Sequence, residues 1–198
     1  AAILEAEARD RNMLGSFGLL AAASILTIPF ERMRATHFLH DKAKDGDLAA
    51  GLAALEKVKF FDAPFWADVP DKASWRQSRI MAAVERIDGW CDASGRPSAS
   101  LEANTIAGRE ASEVMRVLRN ALAHGNIIYL DADNREAVGN ETVYMAFLSR
   151  CEENEEQRLK AETYRVILVT QNAFLHFVKS WARWVGAFNL DPRVAEAA

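Results

Sequence analysis

Three side chains in the segment 119–124, which reads RNALAH, could do chemistry together: the Arg119 guanidinium, the Asn120 amide and the His124 imidazole. Arg119 is charged at any physiological pH, and its planar fork of donors suits a phosphate. Gly125 follows at once and predicts a helix end, where the last carbonyls and the negative end of the helix dipole favour the imidazolium. We therefore expect His124 to transfer protons near neutral pH. An anion clamp with an acid or base is the minimum for cutting RNA without a metal.

The spacing of these residues on a helix does not bring them together by itself. On a regular helix Arg119 and His124 are about 140° apart, because five positions separate them at 3.6 residues per turn. They could meet one phosphate if the last turn unwinds, if the long side chains reach around, or if a second copy of the helix faces the first. One stripe along the predicted helix is polar and consists of Arg109, Glu113, Arg116, Asn120 and His124. Asn120 would orient the phosphate or the imidazole, and Arg109 and Arg116 would bind RNA. The alternative is a solvated helix face whose histidine caps the last carbonyls.

The segments that must position this helix are mostly helical by their periodicity. Val114, Leu118, Ala121 and Leu122 form its apolar face. Helical spacing predicts helices over residues 4–26, 29–41, 48–58, 70–91, 104–123 and 161–187. The β-branched and aromatic runs 126–130 and 142–148 predict a hairpin between turn residues. We therefore expect an all-α fold, a helical bundle with a small β-hairpin insertion at about 126–149, in a single domain spanning 1–198.

Composition limits the partners of the chain. Its 198 residues are 50% hydrophobic and carry a net charge of -4, so a broad basic surface for nucleic acid is excluded and any RNA contact must be local. Cys91 and Cys151 lack metal-type spacing, which favours a reduced chain in the cytoplasm. The uncharged stretch 13–30 is diluted by small and polar residues and predicts a buried helix rather than a membrane span.

A metal site is not expected. His37, His40 and Asp41 could lie on adjacent helical turns, but these three residues have no carboxylate or cysteine partner elsewhere in register. We interpret them as polar surface residues at a helix end. We therefore expect neither a metal nor a cofactor.

Through the segment 119–124, extended by 125–127, the chain resembles the HEPN superfamily. These are small α-helical domains marked by an arginine, a short spacer and a histidine, often with a polar residue directly after the arginine. The resemblance covers the helical core over about 14–124 and the closing helix over about 161–187. The segment 26–32 also resembles the early helices of one plasmid-borne HEPN group of uncharacterised function.

The resemblance implies a homodimer that pairs the motifs of two protomers in one cleft, which would resolve the angular mismatch. It implies metal-independent RNA cleavage that leaves a 2′,3′-cyclic phosphate, with Arg119, Asn120 and His124 as the catalytic residues. It also implies a toxin–antitoxin, antiviral defence or RNA-processing system, with an antitoxin protein as a further partner. One branch, paired with a nucleotidyltransferase antitoxin, has a modifiable tyrosine two residues after the histidine, where this chain has Asn126. The alternative function is an inactive helical module that binds RNA, a nucleotide or a partner protein.

Overall fold

The helices and strands are taken from a computed structural model, which describes residues 2–11, 13–32, 46–66, 68–80, 106–133, 136–139, 141–150 and 164–188. The helices are α1 (Ala2–Asp10), α2 (Leu14–Arg32), α3 (Gly46–Ala54), α4 (Ala111–His124) and α5 (Gln171–Phe188). The strands are β1 (Trp75–Ile80), β2 (Ile127–Leu130), β3 (Tyr144–Arg150) and β4 (Tyr164–Thr170). Short 3₁₀ turns occur at Phe60–Asp62, Lys72–Ser74 and Ile106–Gly108.

The four strands form one antiparallel sheet in the order β1-β4-β3-β2, so the prediction of an all-α bundle is wrong. Sequence periodicity missed two strands, the edge strand β1 and its neighbour β4, and β4 pairs with β1 on one side and β3 on the other. Its residues 166–169 are all buried. A short strand covered on both faces reads as an unbroken apolar run, which periodicity cannot distinguish from a buried helix. The predicted helix over 161–187 is therefore β4 followed at once by α5.

The predicted hairpin is confirmed, but it is not an insertion. Strands β2 and β3 pair antiparallel from Ile127 opposite Phe147 to Leu130 opposite Tyr144. Beyond the hairpin, β3 continues to Arg150 and pairs along its whole length with β4. The hairpin is thus one half of the sheet.

Several predicted helix boundaries are also wrong. The first predicted helix is two helices, because α1 ends at Asp10 and α2 begins at Leu14. The segment 75–80, predicted as helix, is the edge strand β1. Residues 81–91 lie outside the described part of the chain, as do Cys151 and the trio His37, His40 and Asp41.

The helices cover one face of the sheet and share a core with it. Met145 and Phe147 of β3 and Ile167 and Val169 of β4 belong to this core. Its centre is aromatic: the ring centroids of Phe60, Trp75 and Phe177 lie 5.1 to 5.9 Å apart. The opposite face of the sheet is apolar and buried as well, and carries Leu130, Ala146, Leu148, Val166 and Leu168. Helix α2 packs against both α4 and α5.

Helix α2 continues through Pro29, where the sequence predicts a break. Proline has no N–H, so the carbonyl of Ile25, four residues earlier, loses its helical hydrogen-bond partner. The indole Nε1–H of Trp181 in α5 donates to this carbonyl at 2.9 Å, and Trp181 is fully buried. A tertiary hydrogen bond thus satisfies the carbonyl that the proline leaves open. This contact allows α2 to reach Arg32 and ties it to α5.

The uncharged stretch noted above is almost entirely α2, and its Ala22 and Leu26 are fully buried in the core. None of the helices that the structure describes has the length and apolarity needed to cross a bilayer.

We predict that Trp181→Phe lowers the free energy of unfolding by about 1–3 kcal/mol, in addition to the cavity term, because it leaves a buried carbonyl without a donor. In a Pro29→Ala background the new N–H can bond the Ile25 carbonyl within the helix, so the same substitution should cost about 1 kcal/mol less. Urea unfolding of the four proteins measures this coupling. An equal cost in both backgrounds would mean that the indole does not replace the missing helical donor.

Candidate functional site

Arg119, Asn120 and His124 line one open cleft of about 400 Å³ between α4 and α2. The described lining is completed by Ala23 and Thr27 of α2 and by Leu122 and Ala123 of α4. His124 is exposed, whereas Arg119 and Asn120 are half-buried. The three predicted site residues therefore share one cavity within a single chain.

The N-terminus of α4 is held by backbone contacts. Its N-cap residue, Glu110, makes no side-chain cap. Instead the Ala111 N–H donates to the Val58 carbonyl at 2.9 Å and the Ser112 N–H to the Leu55 carbonyl at 3.2 Å. These bonds satisfy donors that a helix start otherwise leaves open. The helix begins at Ala111, so the prediction of a start at 104 is wrong and Arg109 lies before the helix.

The apolar face of α4 matches its prediction and sets the rotation of the helix. Val114, Leu118 and Ala121 are buried and Leu122 is partly buried. Met115 and Val117 are buried too, which makes the buried face wider than predicted. With this face against β3, α4 turns Asn120 towards the sheet and leaves His124 at the surface.

The C-terminus of α4 is closed by Gly125, as predicted. Gly125 is left-handed, with φ at 69°, and its N–H donates to the Ala121 carbonyl. The Asn126 N–H donates to the same carbonyl at 2.9 Å, and β2 begins at Ile127. The helix therefore stays regular through His124, and the last turn does not unwind. Arg119 and His124 nevertheless line one cleft, whose facing wall is provided by α2.

Asn120 connects Arg119 to the sheet. Arg119 Nη2 donates to Asn120 Oδ1 at 3.3 Å, and Asn120 Nδ2 donates to Ser149 Oγ at 3.3 Å. Asn120 is thus placed to orient the guanidinium. Ser149 was not predicted as a site residue, although one signal was present: a serine two positions after Phe147 falls on the same face of the strand.

A second open cleft, also of about 400 Å³, lies on the other side of Arg119. It is lined by Glu56, Ser112, Glu113, Met115, Arg116 and Arg119. Its two carboxylates oppose an anion, and one of them, Glu113 Oε2, lies 3.9 Å from Arg109 Nη1. The described lining of the first cleft holds no carboxylate, so that cleft is the better phosphate site.

Contacts between β2 and the start of α2 help to place the facing wall of the cleft. A Cβ on Gly15 would lie 3.0 Å from Gln171 Oε1 and 3.4 Å from Tyr129 Cε1, so the helix approaches β2 and α5 closely. Burial raises the pKa of the Tyr129 phenol, and a hydrogen bond with the Ser16 side chain offsets part of this rise. No sequence motif indicates that α2 contributes to the site, because its contribution depends on this packing.

No protein-family model matches the chain, and comparisons with curated proteins and with solved structures gave no match. What the cleft can do must follow from its own side chains.

We predict that Gly125→Ala lowers the free energy of unfolding by about 1–2 kcal/mol, because φ is 69° there and an L side chain is strained in that conformation. No atom lies within 4 Å of the added Cβ, so a steric clash does not contribute. Gly186→Ala is the matched control: it also has nothing within 4 Å, but no positive φ, and should be stabilising by about 0.5–1 kcal/mol. Similar changes in the unfolding temperature of Gly125→Ala and Gly186→Ala would contradict the left-handed conformation of Gly125.

Proposed function

We propose that this chain is a metal-independent endoribonuclease that binds one phosphodiester of RNA in the cleft between α2 and α4. The observation that carries the proposal is that Arg119 and His124 line the same cleft, whose described lining holds no carboxylate, although they leave the helix about 140° apart. A permanent cation and an imidazole on the lining of one open cleft suit transfer of a phosphoryl group.

The proposed reaction is an internal transfer. The ribose 2′-oxygen attacks phosphorus, the bond from phosphorus to the 5′-oxygen breaks, and the products are a 2′,3′-cyclic phosphate and a 5′-hydroxyl. His124 takes the proton from the 2′-hydroxyl or gives one to the departing 5′-oxygen. Arg119 stabilises the charge that develops on the phosphoryl oxygens. Each contribution is typically worth a factor of about 10²–10⁴ in rate.

The reaction needs two proton transfers, and His124 is the one imidazole among the described residues of the cleft. The second proton passes through water or through His124 of a second copy, as in the homodimer that the HEPN resemblance implies. Because the sheet departs from an all-α domain, this resemblance supports the proposal through α4 and its motif alone. A cytoplasmic toxin–antitoxin or antiviral system with an antitoxin protein is the setting that it favours.

Arg116 extends the proposed RNA path. It is exposed and lies one turn before Arg119, so the two guanidinium groups fall on one side of α4. A strand whose scissile phosphate contacts Arg119 would place a neighbouring phosphate near Arg116, which lines the second cleft and offsets the carboxylates of Glu56 and Glu113 there. Arg109 is the weaker candidate, because its guanidinium lies 3.9 Å from the Glu113 carboxylate.

We predict that the wild type cleaves a labelled single-stranded RNA pool in EDTA and leaves cyclic phosphate ends. His124→Ala and Arg119→Gln should each lower the rate by about 10² or more, because each removes one of the two chemical groups. The matched control is His176→Ala, since His176 lies on α5 beside Trp66 and Asp68 rather than in the cleft. Circular dichroism and thermal unfolding verify that the variants fold.

Equal loss in His124→Ala and His176→Ala would contradict the assignment of the site. Binding of the pool without cleavage, weakened by Arg119→Gln, would instead favour the inactive RNA-binding module.

A further inference from the structure

Along β3, the side of the sheet that faces α4 is apolar except at one end. Along β3, Met145 and Phe147 face the helices, and Ser149 follows them at the same two-residue spacing. Ser149 is 5% exposed, and its partner across the strands is Arg165, which is 7% exposed. A buried hydroxyl in a strand is costly unless it has hydrogen-bond partners. The partner that α4 supplies is Asn120.

The hydrogen bonds of Ser149 and Arg119 together favour one orientation of the Asn120 amide. The Ser149 hydroxyl donates to the Arg150 carbonyl at 3.3 Å, so its oxygen is left to accept. It accepts from Asn120 Nδ2 at 3.3 Å, which turns Asn120 Oδ1 towards Arg119 Nη2, also at 3.3 Å. The flipped amide would set its own N–H donors against the guanidinium donors of Arg119, and an arginine accepts no hydrogen bond. With its proton donated to the Arg150 carbonyl, the serine therefore favours the same amide orientation that the guanidinium requires.

We propose that Ser149 is a positioning residue for Arg119 and acts through Asn120. This hydrogen-bonded relay runs from the Ser149 hydroxyl on β3, through the Asn120 side-chain amide on α4, to the Arg119 guanidinium at the wall of the cleft. It restricts a long side chain, which would otherwise lose rotamer entropy each time it binds a phosphate. The positioning of Arg119 by Ser149 and Asn120 is inferred from the geometry alone, whereas the effect of this positioning on RNA cleavage rests on the proposed function.

The first experiment measures the mobility of the Arg119 side chain and needs no activity. ¹⁵N relaxation of the Arg119 Nε–H group reports motion on the picosecond to nanosecond timescale. Ser149→Ala should lower its order parameter, and Ser149→Thr, which keeps the hydroxyl, should restore it. In an Asn120→Ala background, where the relay is already broken, Ser149→Ala should change nothing further. If Ser149→Ala does not fold, Ser149→Cys has a similar shape with a weak acceptor and serves in its place.

The second experiment measures cleavage of RNA at saturating substrate. Per folded molecule, Ser149→Ala should lower kcat about tenfold, the effect of losing one hydrogen bond in the transition state, with little change in KM. In the Asn120→Ala background, adding Ser149→Ala should cause no further loss of kcat. A residue that only stabilised the sheet would lower the unfolding temperature and the folded fraction, but it would act equally in both backgrounds.

Unchanged Arg119 mobility in Ser149→Ala, or an additive effect with Asn120→Ala, would overturn the positioning role. If Ser149→Ala mobilises Arg119 while the wild type cleaves no RNA, the relay stands and the proposed function fails.

Discussion

The tight turn at Gly125 is the constraint on which the site depends. It joins α4 to β2 through two residues, because a positive φ lets Gly125 and Asn126 both donate to the Ala121 carbonyl. The Asn126 carbonyl in turn accepts from the Leu148 N–H at 3.0 Å, so the chain enters the sheet directly after the turn. The end of α4 is therefore fastened to β3 one residue before Ser149. This connection places His124 at the mouth of the cleft and Asn120 over the strand.

The parts of the structure that the sequence predicts are those with local causes. The amphipathic face of α4, its glycine cap and the hairpin of β2 and β3 each follow from residues close together in the chain. The cleft could be predicted only in part, since Arg119, Asn120 and His124 share one short segment, whereas the α2 wall and Ser149 come from elsewhere. Helix α2 passes through Pro29 because Trp181, 156 positions from Ile25, supplies the donor. Strand β4 was missed because its neighbours on both sides, rather than its own pattern, make it a strand.

Local charge, rather than net charge, decides how an acidic chain could bind RNA. The net charge is -4, yet Arg119 separates a cleft whose described lining has no carboxylate from one that carries Glu56 and Glu113. A phosphate would be attracted more strongly to the first cleft than to the second, where two carboxylates offset Arg116 and Arg119. Glu56 and Glu113 also limit how RNA could lie across α4, where Arg116 is the described arginine that continues the positive path.

The central claim is that one RNA phosphate contacts both Arg119 and His124, and the most direct test is NMR of these two side chains. A 2′-O-methyl oligonucleotide lacks the attacking hydroxyl, so it can be titrated without cleavage. The account predicts that the His124 ring signals and the Arg119 Nε signal shift with one dissociation constant, and that Arg119→Gln weakens binding and removes the His124 shift. His124 signals that stay unchanged, or that shift equally in Arg119→Gln, would contradict a shared phosphate.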